Sequence, residues 1–346
     1  MKRALIISSS IFISCIIFTV VLFLFSDQPN RKPNHFQRQF TSLKIKLKHR
    51  IPTTDHSYMI TGHANGSYFF SDEKAPFHLL ISDQNLAQIK DMVVSFPMKT
   101  DPRAARLYFT ESYFYVIDYN KSLITKGTLS DWSTVNTLVD TISFIDALPI
   151  NNSTIIVRKA NPQNGEFILG SIDLGTLQTE LFPSLLEKQI DGRFCTDGQL
   201  HYDAFSSRVV YVYFYRNQFI SMDDHLNTHY RAHTIDTISH VRLEIDNIDS
   251  EHSVTLSSPP FVVNRISRVD HGLLFIHNGL KADNEESNDF GQHSVIDVYT
   301  LSNGNYLHSF YIPHEDGQKM KDFLVTDHTL MATFPESIAS YSLPSY

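Results

Sequence analysis

The chain has 346 residues, 42% of them hydrophobic, with a formal net charge of -8 and a pI near 6.1. That length can bury a large core in one or two domains. The mild acidity, without any Lys/Arg-rich run, excludes a nucleic-acid binder, which would carry a basic patch or stripe. Phe (25) and Tyr (16) are abundant, and amphipathic helical stretches are scarce, so the expected class is all-β. Cys15 and Cys195 are the two cysteines. They make no disulfide framework, and the compartment stays open on that ground.

Lys2 and Arg3 precede an uncharged apolar run from Ala4 to Phe25. As a helix this run would be ~33 Å long, enough to span a bilayer core. It stays bulky to its last residue, which disfavours signal cleavage. About ten apolar residues follow Cys15, which is wrong for a lipoprotein. An uncleaved signal anchor over 1–25 is expected, attaching the chain to the membrane through residues 4–25. The large domain then lies outside the cytoplasm, although basic residues on both sides of the span leave the charge rule undecided. Residues 26–40, polar and without periodicity, read as a linker.

Leu43–Lys48 alternates strictly, with Leu43, Ile45 and Leu47 inward and three lysines outward. Lysines on one face mark an exposed edge strand. Six repeats follow over 41–346, each built of short apolar strands joined by tight turns. They centre on Phe69, Tyr115, Ile156, Tyr211, Phe275 and Met331. The fourth is the clearest. In Val209–Tyr215 every residue is β-branched or aromatic, a strand apolar on both faces, followed by a two-residue turn at Arg216-Asn217. Val209, Tyr211, Tyr213 and Tyr215 share one face; Val210, Val212 and Phe214 share the other. Strands buried on both faces, recurring about every 50 residues, predict a six-bladed β-propeller. The sixth repeat ends one strand short, which strand 43–48 would repair. Seven blades is the alternative, by splitting 237–262.

Asp83, Asp118, Asp173, Asp223-Asp224 and Asp297 follow blade strands and read as turn residues that bond their own backbone. Lys281–Gln292 reads as a flexible surface loop. Ser184–Ile190 reads as one short helix, with Ser184 and Glu187 as a capping box. His225, His229 and His233 recur every four residues, but on a strand the latter two stand about 13 Å apart, too far for one ion. Cys195 reads as a buried structural thiol. No metal site, cofactor, nucleophile elbow or phosphate loop is expected. A ligand site would lie at the axis, where inter-blade loops converge, and Arg103, Arg193, Asp197 and Lys319 are its candidates by position.

The runs Asp197–Asp203, Val210–Phe219, Thr234–Thr237, Val295–Tyr299 and Ser309–Ile312 resemble an uncharacterised family of membrane-anchored Bacteroidota proteins. That resemblance implies a bacterial inner-membrane anchor and a periplasmic propeller-like domain, and it offers no catalytic residues to carry over. It also implies that the sequons at Asn65, Asn120, Asn151 and Asn152 are accidental. The expected function is a non-enzymatic module that binds a membrane or periplasmic protein partner or a small ligand. The alternative is a hydrolase of glycan or peptide substrates using the axial loops; fold alone does not separate the two.

Overall fold

The computed structural model describes residues 11–20, 33–41, 45–53, 56–94, 104–139, 144–248 and 253–344. Strand β1 (Lys46–Pro52) comes first in sequence and belongs to the last blade. Blade 1 is β2 (Tyr58–Ala64), β3 (Ser67–Asp72), β4 (His78–Ser82) and β5 (Ile89–Val93). Blade 2 is β6 (Ala105–Phe109), β7 (Tyr113–Asp118), β8 (Leu123–Thr128) and β9 (Thr134–Val139). Blade 3 is β10 (Phe144–Pro149), β11 (Thr154–Ala160), β12 (Phe167–Asp173) and β13 (Thr179–Phe182). Blade 4 is β14 (Gly198–Asp203), β15 (Arg208–Tyr213), β16 (Gln218–Met222) and β17 (Thr228–His233). A two-stranded hairpin follows, β18 (Ile245–Ile248) and β19 (Ser253–Leu256). Blade 5 is β20 (Asn264–Asp270), β21 (Leu273–Asn278), β22 (His293–Thr300) and β23 (Tyr306–Pro313). Blade 6 is β24 (Asp322–Thr326), β25 (Thr329–Phe334) and β26 (Ser337–Ser342), with β1 outermost. Each blade is a four-stranded antiparallel sheet, so the fold is an all-β, six-bladed propeller. Among the described residues of the segment that a seventh blade would need, 237–262, the strands are the β18–β19 hairpin.

The doubly apolar strand explains how blades stack. On β15, Val209, Tyr211 and Tyr213 pack with Ile156 and Leu169 of blade 3. Val210 and Val212 pack with Leu274, Ile276 and Tyr299 of blade 5. Each such side chain contributes about 1.5–3 kcal/mol when fully buried. A similar apolar layer, with Phe70, Met331 and Ile338, joins blade 6 back to blade 1.

Ring closure by an N-terminal strand holds, with its position corrected. The paired residues run from Lys46↔Ser342 to Pro52↔Ser337, later than the predicted 43–48, of which 43–44 lie outside the described residues. Leu47 is exposed rather than inward, because an outermost strand has little beside it to pack on and the register shifts between Leu47 and His49. Ile45 and Ile51 carry the packing instead.

The second half of the expected linker is part of the domain. Phe36 and Arg38 are buried, and Phe40 bridges Ser309 beside the outer strand of blade 5. Arg38 donates through Nε to Asp297 Oδ1 at 2.7 Å and through Nη1 to Glu285 and to Leu280 O. This corrects two further expectations. Asp297 is a fully buried ion-pair residue within β22, whereas Asp83, Asp173 and Asp223 do accept backbone N–H groups in their turns. Residues 281–292 include buried Glu285 and a short helix, Ser287–Gln292.

No helix forms at 184–190. Arg231 and Arg216 donate to the carbonyls of Leu185 and Glu187, and Glu187 N–H donates to the Tyr213 hydroxyl, so blade 4 takes up the backbone groups of a segment that runs through turns and bends. Buried Arg216, 3.7 Å over the Tyr213 ring, also widens the predicted two-residue turn: the last pair before it is Val212↔Phe219. Residues 11–20 are helical with exposed side chains. Among the described residues no helix is long and apolar enough to cross a membrane; residues 4–10 and 21–25 of the expected span lie outside them.

Candidate functional site

The first strands of the blades adjoin one another from β10 through β14, β20, β24 and β2 to β6, as the innermost strands of a propeller do. They are also the strands that carry charge within apolar surroundings. Arg106 and Tyr108 come from β6, Asp146 from β10, His201 from β14, Arg268 from β20 and Asp322 from β24. Arg158 on β11, Tyr119 after β7, Asp197 before β14 and Tyr215 after β15 complete the group. Arg106 is exposed, and Tyr108, Asp146 and His201 are partly exposed, although protein surrounds all four; residues along a channel wall have this character.

The cluster is cross-linked. Arg158 Nη1 donates to Asp197 Oδ1 at 2.5 Å, and the Gly198 N–H holds the same oxygen at 3.0 Å. Arg268 Nη2 donates to Asp322 Oδ1 at 2.5 Å; Asp322 also accepts the Ile60 and Phe323 N–H groups. The Tyr108 and Tyr119 hydroxyls are 2.9 Å apart, with the Arg106 guanidinium 5.8 Å from the Tyr119 ring centre. His201 Nε2 meets Ser267 Oγ at 2.7 Å.

Burial dominates the electrostatics. It pushes the Asp146 carboxyl up; Arg158 and Arg106 oppose the shift and Asp197 adds to it. It pushes Asp322 up against the pull of Arg268, and the Tyr108 hydroxyl up to about 12. Burial, then Arg268, lowers His201 to about 3, so this imidazole is neutral. For Arg158 burial works the other way, but Tyr211, Asp197 and Asp146 outweigh it and keep the group charged. The result is a set of fixed guanidinium groups and hydroxyls beside two carboxyls, Asp146 and Asp322, that resist ionisation.

Of the four residues predicted by position, only Asp197 belongs to this cluster. Arg193 donates to Gly165 O at 2.8 Å and braces the loop of blade 3. Exposed Lys319 lies in the β23–β24 connection and acts electrostatically on His277 and His314. Arg103 lies outside the described residues. The missed residues had a signal: Arg106, Asp146 and Arg268 are charges inside the first apolar strand of a repeat, where a packed blade tolerates none unless it faces a channel.

A second group was also missed. One ligand atom each from His56, Asp72 and His78 lie within 4.8 Å of one another. His225, His229 and His233 make no such group. Cys195 is buried as expected, its sulfur accepting the Gln189 N–H. Side grooves of 240 and 220 Å³, lined by Lys126 and Asn152 in one and Asp270 and His271 in the other, include none of the axial residues.

No protein-family model matches the sequence, and no curated protein is significantly similar to it. Solved structures are similar in shape. A DUF4221 family member from Bacteroides vulgatus is 15% identical with a TM-score of 0.50, covering 90% of this chain and 98% of that one. A candidate exported protein from Bacteroides fragilis is 10% identical with a TM-score of 0.55, covering 89% and 98%. The likeness is one of fold. A streptogramin B lyase, 10% identical with a TM-score of 0.49 over 87% and 98% of the two chains, is too distant to bear on activity.

Proposed function

We propose that the chain is a non-enzymatic binding propeller. Residues 4–25 hold it in a bacterial inner membrane, and the periplasmic domain offers its axial mouth to a partner protein or small ligand. The axial cluster carries this reading: Arg106 and Arg158 stand among Tyr108, Tyr119 and Tyr215, and Arg106 is exposed. Arg and Tyr dominate binding hot spots, and a guanidinium suits a carboxylate through paired hydrogen bonds. The fold likeness to a candidate exported protein accords with a periplasmic place.

Thermal unfolding of the full chain against a panel of amino-acid, dipeptide and uronic-acid carboxylates tests the reading. A ligand should raise Tm in the parent and not in Arg106→Ala, whose folded state circular dichroism should check first. An equal rise in both would move the site off the axis.

The hydrolase reading keeps one observation in its favour. Asp146, its carboxyl pushed up by burial beside Asp197, has the character of a general acid. A raised carboxyl opposes folding once ionised: its full contribution is present below the ordinary aspartate value of 3.8 and is lost as pH rises through the folded value. Asp146→Asn should therefore be more stable than the parent at pH 7, with the gap closing toward pH 4, as measured by urea unfolding. A stabilised variant that also loses ligand would mark Asp146 as a residue kept for function at a cost in stability. One that keeps its ligand would not.

A further inference from the structure

We propose that His56, Asp72 and His78 form a site for a late first-row divalent metal ion, with zinc as its natural probe. The three residues come from different parts of the chain. His56 lies in the connection from the ring-closing strand β1 to the inner strand β2. Asp72 ends β3 and His78 begins β4, so the β3–β4 turn brings them together. His56 Nδ1 is 2.6 Å from Asp72 Oδ2, and the His56 and His78 rings stand 5.6 Å apart at 75°. One ligand atom from each residue falls within 4.8 Å of the other two, a spread that a central ion closes with small side-chain rotations.

Two imidazoles and a carboxylate are the donor set of a three-ligand zinc site that leaves a further position for water or substrate. Magnesium and calcium prefer all-oxygen sites and are disfavoured here. The surroundings favour a cation. Asp91 Oδ1 lies 3.5 Å from His78 Nε2 and adds a second negative charge. The nearby lysine, Lys321, is taken up by Glu73 and Ser57. The Asp72 side chain is 5% exposed, and its other oxygen accepts the Lys74 N–H at 2.8 Å, which fixes the carboxylate. The His56 side chain is 43% exposed, so the ion can enter from solvent and keep an open position. A bound ion would tie the segment leaving blade 6 to the β3–β4 hairpin of blade 1, at the seam where the ring closes.

Zinc alone, added to EDTA-treated full-length protein, tests the proposal. Calorimetry should find one tight ion per chain, and cobalt in its place should give the visible absorption of a low-symmetry site. His56→Ala and His78→Ala should each weaken binding at least about 100-fold, beyond the 10–100-fold loss typical of an outer-shell change. Both side chains are partly exposed, so circular dichroism should show the variants folded. His225→Ala, at a distant exposed histidine, should leave binding unchanged. At a hundredfold excess over the dissociation constant, zinc should raise Tm by about 5 °C in the parent and not in His78→Ala. Zinc binding as tight in the His56→Ala/His78→Ala double variant as in the parent would overturn the proposal. So would no binding to the parent at all.

Discussion

Arg38→Met should destabilise the propeller by about 3–5 kcal/mol, the cost of breaking a buried ion pair from one side. Arg38, Glu285 and Asp297 have fully buried side chains. The guanidinium meets both oxygens of Asp297, at 2.7 and 3.1 Å, and reaches Glu285 and Leu280 O with its remaining N–H groups. Ser309 and Tyr311 donate to the same two carboxylates. Removing the cation leaves two carboxylates in a dry site with two hydroxyls and the Ala282 N–H as their partners. Arg38→Lys should recover little, because a single ammonium cannot replace a planar fork that bonds in three directions. Urea unfolding followed by tyrosine fluorescence measures both variants. The triple variant Arg38→Met/Glu285→Gln/Asp297→Asn discriminates further. If buried charge is the cause, it should be more stable than Arg38→Met alone. If it is less stable, the guanidinium acts through packing.

Acid should weaken the fold well above the carboxylate range. Burial lowers both His201 and His277 to about 3, with Arg268 adding to the first and Arg265 to the second. A depressed histidine contributes stability that is complete above its unfolded value of 6.5 and is lost as pH falls toward the folded value. At pH 5, about 1.5 units below the unfolded value, each contributes a loss of about 2 kcal/mol at about 1.4 kcal/mol per unit. His277 is the firmer case, since it is 6% exposed, while His201 keeps some contact with solvent and carries the smaller share. Unfolding free energies from pH 7.5 to 5 should therefore fall in the parent by at most about 4 kcal/mol, less the stability that the raised carboxyls of Asp146 and Asp322 regain over the same range. The slope should flatten in His201→Gln/His277→Gln. An unchanged slope in that variant would assign the acid sensitivity to other groups.

The first of these results bears on where the propeller begins. Asp297 lies on the face of blade 5 on which residues 34–41 dock, the face it shares with Ile276, whereas His277 pairs with Ile296 and looks toward blade 6. In a chain whose first residues are proposed to sit in a membrane, this docked segment would set where the propeller begins. The tether would then be the short stretch before Asn34, rather than all of 26–40.

Much of the fold was legible. Strands apolar on both faces, such as Val209–Tyr213, have one stable setting, between two other sheets, and their recurrence counted the blades. Turns at Asn65-Gly66 and His271-Gly272 were readable because these residues accept the positive φ values found there. Outer strands β9 and β13 escaped, since a strand at the rim packs on one side only and shows weak alternation. The axial site was legible in kind but not in detail. Loop position found Asp197, whereas Arg106, Asp146 and Arg268 sit inside apolar strands, where one charge is outweighed by the strand pattern around it.

The sequence by itself determined the class, the repeat and the closing of the ring by its own N-terminal region, because these depend on local periodicity and on counting. Only the tertiary structure decided which polar residues meet. Arg38 and Asp297 are separated by 259 positions, Arg158 and Asp197 by 39, and His56 and Asp72 by 16. No local pattern encodes such pairs. They exist because circular closure brings distant strands side by side, and burial then makes each charge find a partner.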